Sequence, residues 1–308
     1  MSTLSRTVLG LVAVAGLLAV LVACSPLTAI NALSSGSASR VTPDLSYGTG
    51  PRNKLDIYTP LAAPGPEPGP GPVLAPVVVF FYGGNWTSGE RADYAFVGRA
   101  LAARGMVAVI ADYRLYPEVR YPDFLDDTAQ AVAWTIREVA RYGGDPKHVF
   151  VMGHSAGAYN AAMLALDEKW LARQGMTPAA LRGWIGLAGP YDFLPVENKT
   201  ARPVFLYPAT PPESQPINHV TAAAPPALLI AARQDDLVNP ERNTGGLARQ
   251  LRAHGVPVSE EYFDKVGHAT LVVSLAWPLR SLAPTLDAVE RFVKTDGGRM
   301  RQTVQLSR

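Results

Sequence analysis

The chain has 308 residues, 48% of them apolar and 18% charged, with a formal net charge of +2. That balance suits one large folded domain and excludes a disordered chain. It leaves no basic footprint for nucleic acid and no block of like charges.

The N-terminus stands apart. Arg6 precedes an apolar run from Val8 to Ala23, followed at once by Cys24, the only cysteine. The run is short for a membrane span, which takes about 20 residues, and fits a signal-peptide core. "LVAC", Leu21 to Cys24, resembles the lipobox at which bacterial lipoprotein precursors are cut before a cysteine that is then acylated. With no second cysteine, Cys24 has no disulfide partner within the chain. The expected organisation is a signal peptide at 1–23, a flexible tether at 24–44, a catalytic domain at 45–295 and a polar tail at 296–308. The body would be extracytoplasmic and lipid-anchored to a bacterial cell membrane. An uncleaved anchor helix is the plainer alternative.

Lys54–Pro60 and Ala75–Gly84 read as strands. The proline- and glycine-rich stretch between them cannot hold regular structure. Arg91–Arg104 reads as a helix, "GMVAVIADY" as a buried strand and "FLDDTAQAVAWTIREVARY" as an amphipathic helix. "HVFVMG" is a further strand, and the alanine-rich "AGAYNAAMLAL" a helix. "LRGWIGLAGP" and "PALLIAARQDD" are apolar strands. "ERNTGGLARQLRAHG" reads as a helix, "PVSEEYFDK" as a strand and Leu279–Lys294 as a closing helix. This alternation predicts an α/β fold with a mostly parallel central sheet and helices on both faces. Ligands bind such sheets at the carboxyl ends of the strands.

Four candidate sites stand there. Ser155 sits in "GHSAG", on the turn from strand to helix, where Gly153 and Gly157 would let the two elements approach closely. Asp235 and Asp236 follow a second strand, and His268 lies in the loop after a third. "YGGNW", Tyr82 to Trp86, follows a fourth and offers consecutive glycine amides. A serine hydroxyl needs a base to become a nucleophile, histidine suits that task near neutral pH, and a carboxylate orients the imidazole. Ser, Asp, His is also the chain order of one known triad arrangement.

With those residues in view, the chain resembles the α/β-hydrolase family, in its small carboxylesterase and arylformamidase-like branch with an H-G-G-x-W oxyanion loop. The resemblance runs from about Tyr47 to Val293 and rests on "LDIYTP", "YGGNW", "ADYRLYPEVRYPDFLDD", "YGGDPKHVFVMGHSAG", "GPYDF", "RQDDLV" and "GHATL". It implies Ser155 as nucleophile, His268 as base and Asp235 as acid, with Asp236 as competitor and the spacing to Val238 favouring Asp235. It also implies an oxyanion hole from the amides of Ala156, Gly84 and Asn85, with Gly83 easing the loop's approach. Tyr82 stands where the family usually has histidine, and its side chain would shape the loop rather than perform chemistry.

The resemblance implies hydrolysis of a short-chain carboxylic ester through an acyl-enzyme, without cofactor. An arylformamide is the nearest alternative substrate, and a lipid-anchored binding protein without catalysis is the reading from another class. The insert Leu194–Ala224 would form a minimal cap over an open pocket. No histidine pair has metal-ligand spacing, so no metal is predicted. His148 reads as a solvated strand end, His154 as packing beside the nucleophile, and His219 and His254 as surface residues. Asp145 reads as a turn residue, Asp192 as a loop brace, and Trp86 as packing or pocket lining.

Overall fold

The computed structural model describes residues 26–34, 39–61 and 74–297. The expected signal peptide, Cys24, most of the proline-rich stretch and the tail beyond 297 lie outside the described residues.

Among those residues eight strands form one sheet: β1 (Ser39–Ser46), β2 (Lys54–Pro60), β3 (Ala75–Phe81), β4 (Val107–Ala111), β5 (Gly144–His154), β6 (Gly183–Leu187), β7 (Ala227–Ala232) and β8 (Val258–Phe263). Their order is β1-β2-β4-β3-β5-β6-β7-β8. β1 and β2 run antiparallel to their neighbours, and every pairing from β4 to β8 is parallel. The expected architecture is therefore present. Val79 pairs with Val109 on one side and Val151 on the other, and all three are fully buried. Runs of such β-branched residues suit strands covered on both faces.

The chain moves one way from β3 to β4 and the other way from β5 onward. Right-handed crossovers then put the helix Ala95–Ala102 on the opposite face from Asp123–Glu138 and Ala156–Leu166. Ala95–Ala102 packs with the closing helix Thr285–Lys294, and Arg104 is ion-paired with Asp287 and Glu290. The reversal lies between β3 and β5, so the crevice at their carboxyl ends is where a ligand site belongs. The loops that leave those two strands begin at Tyr82 and Ser155.

Two expectations need correction. Part of the expected tether is ordered: Pro26–Leu33 is a helix and β1 starts at Ser39. The helix docks because Ala29 is buried, Leu27 and Ile30 pack on the core, and Asn31 makes three hydrogen bonds. β1 is an edge strand with mostly exposed side chains, so no buried alternation marks it in sequence. The single closing helix is also broken: a 3₁₀ turn at Leu279–Ser281 precedes the helix from Thr285. Pro284 directly before it cannot continue a preceding helix.

Candidate active site

β5 ends at His154, and a helix starts at Ala156. Ser155 alone makes the turn, with φ 53° and ψ −119°. That left-handed backbone is costly for a residue with a side chain, and persists where the surroundings over-determine it. Here the neighbours do so. A Cβ on Gly157 would lie 1.9 Å from the Phe81 carbonyl oxygen, and one on Gly153 would lie 2.1 Å from that of Gly157. Strand and helix touch backbone to backbone, which leaves the serine projecting from the bend.

His268 Nε2 lies 2.8 Å from Ser155 Oγ, and His268 Nδ1 lies 2.8 Å from Asp235 Oδ2. The residues span 113 positions and come together because each leaves the carboxyl end of a strand. His268 opens the short helix His268–Val273 rather than lying in a loop. Of the two aspartates it is Asp235 that meets His268: its side chain is fully buried against that ring, whereas Asp236 is exposed. Burial pushes the Asp235 carboxyl up, but its hydrogen bond to His268, that ring's charge and the amides of Val238 and Leu237 outweigh burial. The net pKa lies below the ordinary carboxylate value. Both amides donate to Asp235 Oδ1 at 2.9 Å. An ionised Asp235 fixes the His268 proton on Nδ1 and leaves Nε2 free to take one from serine.

His154 packs beside this line, as expected. Its ring centroid is 5.0 Å from that of His268, and its Nε2 lies 2.9 Å from the His268 carbonyl oxygen. A carbonyl only accepts, so the His154 proton sits on Nε2. Burial, reinforced by the charge of His268, pulls its pKa down to about 3 and keeps the ring neutral. Its Nδ1 is buried without a partner among the described residues.

The loop after β3 comes within reach of the serine. Gly84, Asn85 and Trp86 all have positive φ, at 129°, 53° and 58°. Gly83, Gly84, Asn85 and Ala156 line the same cavity as Ser155 and His268. Ala156 begins its helix, so its amide has no intrahelical acceptor. Trp86 is both pocket lining and packing. Its Nε1–H donates to Asn160 Oδ1 at 3.0 Å, and its ring meets Phe205 and Tyr159 edge-on at 4.7 and 5.1 Å.

Tyr82 shapes this loop from beneath. Fully buried, its ring stacks between Tyr113 at 4.8 Å and Tyr94 at 5.6 Å. Its hydroxyl donates to Asp112 Oδ1 at 2.9 Å and accepts from Arg52 Nη2 at 2.6 Å. Arg52 also donates to the Gly89 carbonyl, and the Tyr113 hydroxyl donates to the Tyr82 carbonyl at 2.8 Å. Asp112 is held in turn by Arg91, which also pairs with Asp56 and Asp44. Sequence reasoning assigned no role to Arg52, Arg91 or Asp112. The one signal was Asp112 inside the quoted "ADYRLYPEVRYPDFLDD" motif.

The insert Leu194–Ala224 lies over the site and is anchored in place. Phe205 is buried in the aromatic cluster, and Asn198 Nδ2 donates to Asn85 Oδ1 at 2.9 Å. Beneath, the buried Asn243 accepts the amides of Tyr191 and Asp192. Arg242 grips Asp192 at 2.9 and 3.1 Å, making Asp192 the loop brace expected. The resulting cavity measures about 340 Å³.

The remaining histidines divide. His254 is exposed, as expected, but His148 and His219 are half-buried. His148 lies within β5, 3.5 Å from Asp296, while His219 Nε2 lies 2.7 Å from the Glu213 carbonyl oxygen. Asp145, expected in a turn, is instead the second residue of β5, where its carboxylate accepts the Lys147 amide at 2.9 Å. Among the described residues no group of three His, Cys, Asp or Glu could hold a metal ion.

Comparisons with known proteins find the chain similar to esterases. The family model BD-FAE matches residues 55–251. Isoprenylcysteine alpha-carbonyl methylesterase of Arabidopsis thaliana is 33% identical over 159 residues, covering 50% of this chain and 35% of that one. Esterase LipQ of Mycobacterium tuberculosis is 31% identical over 278 residues, covering 84% and 63%. The chain thus spans less than two thirds of the length of these curated relatives. Among solved structures, phosphonate-inhibited esterase B of Lactobacillus rhamnosis superposes with a TM-score of 0.73 at 19% identity, over 94% of this chain and 98% of that one. At that identity the likeness is one of fold.

Proposed function

This chain belongs to the BD-FAE family of α/β-hydrolases, and on that premise we propose that it hydrolyses carboxylic esters through an acyl-enzyme on Ser155. The observation that carries the reading is the hydrogen-bonded line from Asp235 through His268 to Ser155, with both links at 2.8 Å. It borders a cavity large enough for a small ester.

His268 Nε2 takes the Ser155 proton as Oγ attacks the ester carbonyl. The amides of Ala156, Gly84 and Asn85 stabilise the oxyanion, and the tetrahedral intermediate collapses as His268 returns the proton to the leaving alcohol. A water then attacks the acyl-serine with the same histidine as base, releasing the acid. A volume of about 340 Å³ lies at the small end of ligand sites, which favours short acyl groups.

The N-terminal "LVAC" supports a further reading, that Cys24 carries lipid and holds the domain outside the cytoplasm on a bacterial membrane. One acyl chain gives only marginal binding, so stable retention needs more than one on the cysteine.

The test is initial-rate hydrolysis of a short-chain aryl ester and of an aryl formamide, with fluorophosphonate labelling read by mass spectrometry. Ester turnover and label on Ser155, both lost in Ser155→Ala, are expected. Faster formamide turnover would move the substrate class. A folded wild type without label or turnover would leave a binding protein.

A further inference from the structure

Only Ser25 separates Cys24 from Pro26, the first residue of the docked helix. Two residue steps span at most about 7 Å of chain. The expected flexible tether, 24–44, would have allowed roughly 70 Å. The helix adds about 12 Å of rigid length and is pinned at its far end. Asn31 Nδ2 donates to the carbonyls of Ala92 and Asp93, both at 2.9 Å, and its Oδ1 accepts the Phe96 amide at 2.8 Å. Arg99 donates to the Asn31 carbonyl, and Ser34 Oγ donates to the Trp277 carbonyl at 3.1 Å. A lipid on Cys24 would therefore have at most about 7 Å of chain between it and the docked helix.

The pinned end carries exposed apolar side chains. Leu33 is 52% exposed and Trp277, brought beside it through Ser34, is 64% exposed. Scattered single apolar residues on a surface need no explanation, but this pair lies about 20 Å or less of chain and helix from the acylation cysteine. Tryptophan is the side chain that best occupies the headgroup region of a bilayer.

We propose that the surface around the Ser34–Trp277 contact, where Leu33 and Trp277 are both exposed, rests on the lipid bilayer that holds Cys24. The anchor then orients the domain as well as retaining it. This rests on the lipid-anchored reading above. A bilayer is favoured over a second copy because two side chains fall far short of the roughly 800 Å² per partner that a stable interface buries. A surface already tethered beside them needs only a weak contact. The pinned stretch Ala92–Phe96 follows the loop that borders the cavity, and Trp277 follows His268 by nine positions. The bilayer therefore lies towards the catalytic end of the sheet.

The test uses the full chain isolated from a bacterial membrane and reconstituted into phosphatidylcholine–phosphatidylglycerol vesicles, with and without brominated lipid. Trp86, Trp170 and Trp184 are buried and Trp134 is half-buried against the core, so of the five tryptophans Trp277 is the exposed one and quenching by bromine reports mainly on it. Brominated lipid should quench the wild type, and Trp277→Phe should remove at least half of that quenching with turnover of a soluble ester unchanged. Mass spectrometry of Cys24 on the same sample keeps the two readings apart. Lipid on Cys24 with equal quenching in both proteins overturns the orientation alone. An unmodified Cys24 overturns the anchoring and the orientation with it. Concentration-dependent shielding of Trp277 from aqueous acrylamide without vesicles would identify a second copy as the occupant and also overturn the proposal.

Discussion

Replacing Tyr82 with phenylalanine keeps the ring and deletes one oxygen. That oxygen bridges Asp112 Oδ1 at 2.9 Å and Arg52 Nη2 at 2.6 Å, so two hydrogen bonds to charged groups are lost. Such bonds contribute about 1.5–3 kcal/mol each. Neither partner is orphaned. Asp112 keeps the Arg91 amide at 2.7 Å and its ion pair with Arg91, and Arg52 keeps the Gly89 carbonyl. The lower part of the range therefore applies, and a loss of roughly 3–4 kcal/mol is expected. At about 2–4 °C per kcal/mol for a chain of this size, the melting temperature should fall by roughly 5–15 °C. The ring stack and the Tyr113 hydroxyl bond to the Tyr82 carbonyl remain, so the loop shifts slightly rather than releasing an oxyanion donor. The rate constant kcat for a short-chain ester should fall about tenfold, well short of the 10²–10³ that a lost donor costs, with KM nearly unchanged. Thermal unfolding and initial rates on the same preparation check both numbers. Wild-type values for both would show that the network does not hold the loop. A thousandfold loss of kcat at unchanged melting temperature would mean that the phenol takes part in the chemistry directly.

Asp235→Asn should lower kcat by on the order of 10⁴, because an amide favours the wrong tautomer of His268, while Asp236→Asn should stay within about twofold. Ester kinetics on the two variants compare them directly, and equal losses would contradict the assignment. His154 makes acid stability steep. The unfolded chain takes up a proton on this ring below 6.5, and the folded chain refuses it down to about 3, so stability falls as pH falls through that window. From pH 6.5 to 5 the loss from this group is about 2 kcal/mol, and His154→Gln should flatten the dependence in urea unfolding at several pH values by that amount.

The grouping of Ser155, Asp235 and His268 was legible because each lies within a few residues of a strand's carboxyl end, and strand ends in a parallel sheet converge on one crevice. The spacing from Asp235 to Val238 carried real information: the Val238 amide binds the carboxylate that faces His268. What supports the site was not legible. Arg52, Asp112 and Asn160 act across 30 to 74 positions of sequence, through contacts that no local pattern announces. Tyr82 stands out in sequence as a departure, but its meaning depends on an arginine on the β1–β2 turn and an aspartate at the end of β4. The helix Pro26–Leu33 escaped for a different reason. Its eight residues are too few for a periodic signal, and it is held by side-chain amide bonds as much as by apolar burial.

The ion cluster around Arg91 bears on how small an autonomous catalyst could be cut from this chain. Its three carboxylates come from β1, β2 and the end of β4, and Arg52, on the turn between β1 and β2, completes the anchor of the loop beside Ser155. The matched family segment begins at residue 55 and ends at 251, so it leaves out Asp44 and Arg52 at one side and His268 at the other. A fragment cut at those limits would lose His268, the proposed base, and would also bury Asp112 with fewer partners beneath a loop no longer fixed at Tyr82. The functional unit is wider than the recognisable one, and dissection should start upstream of β1 and run past the helix that His268 begins.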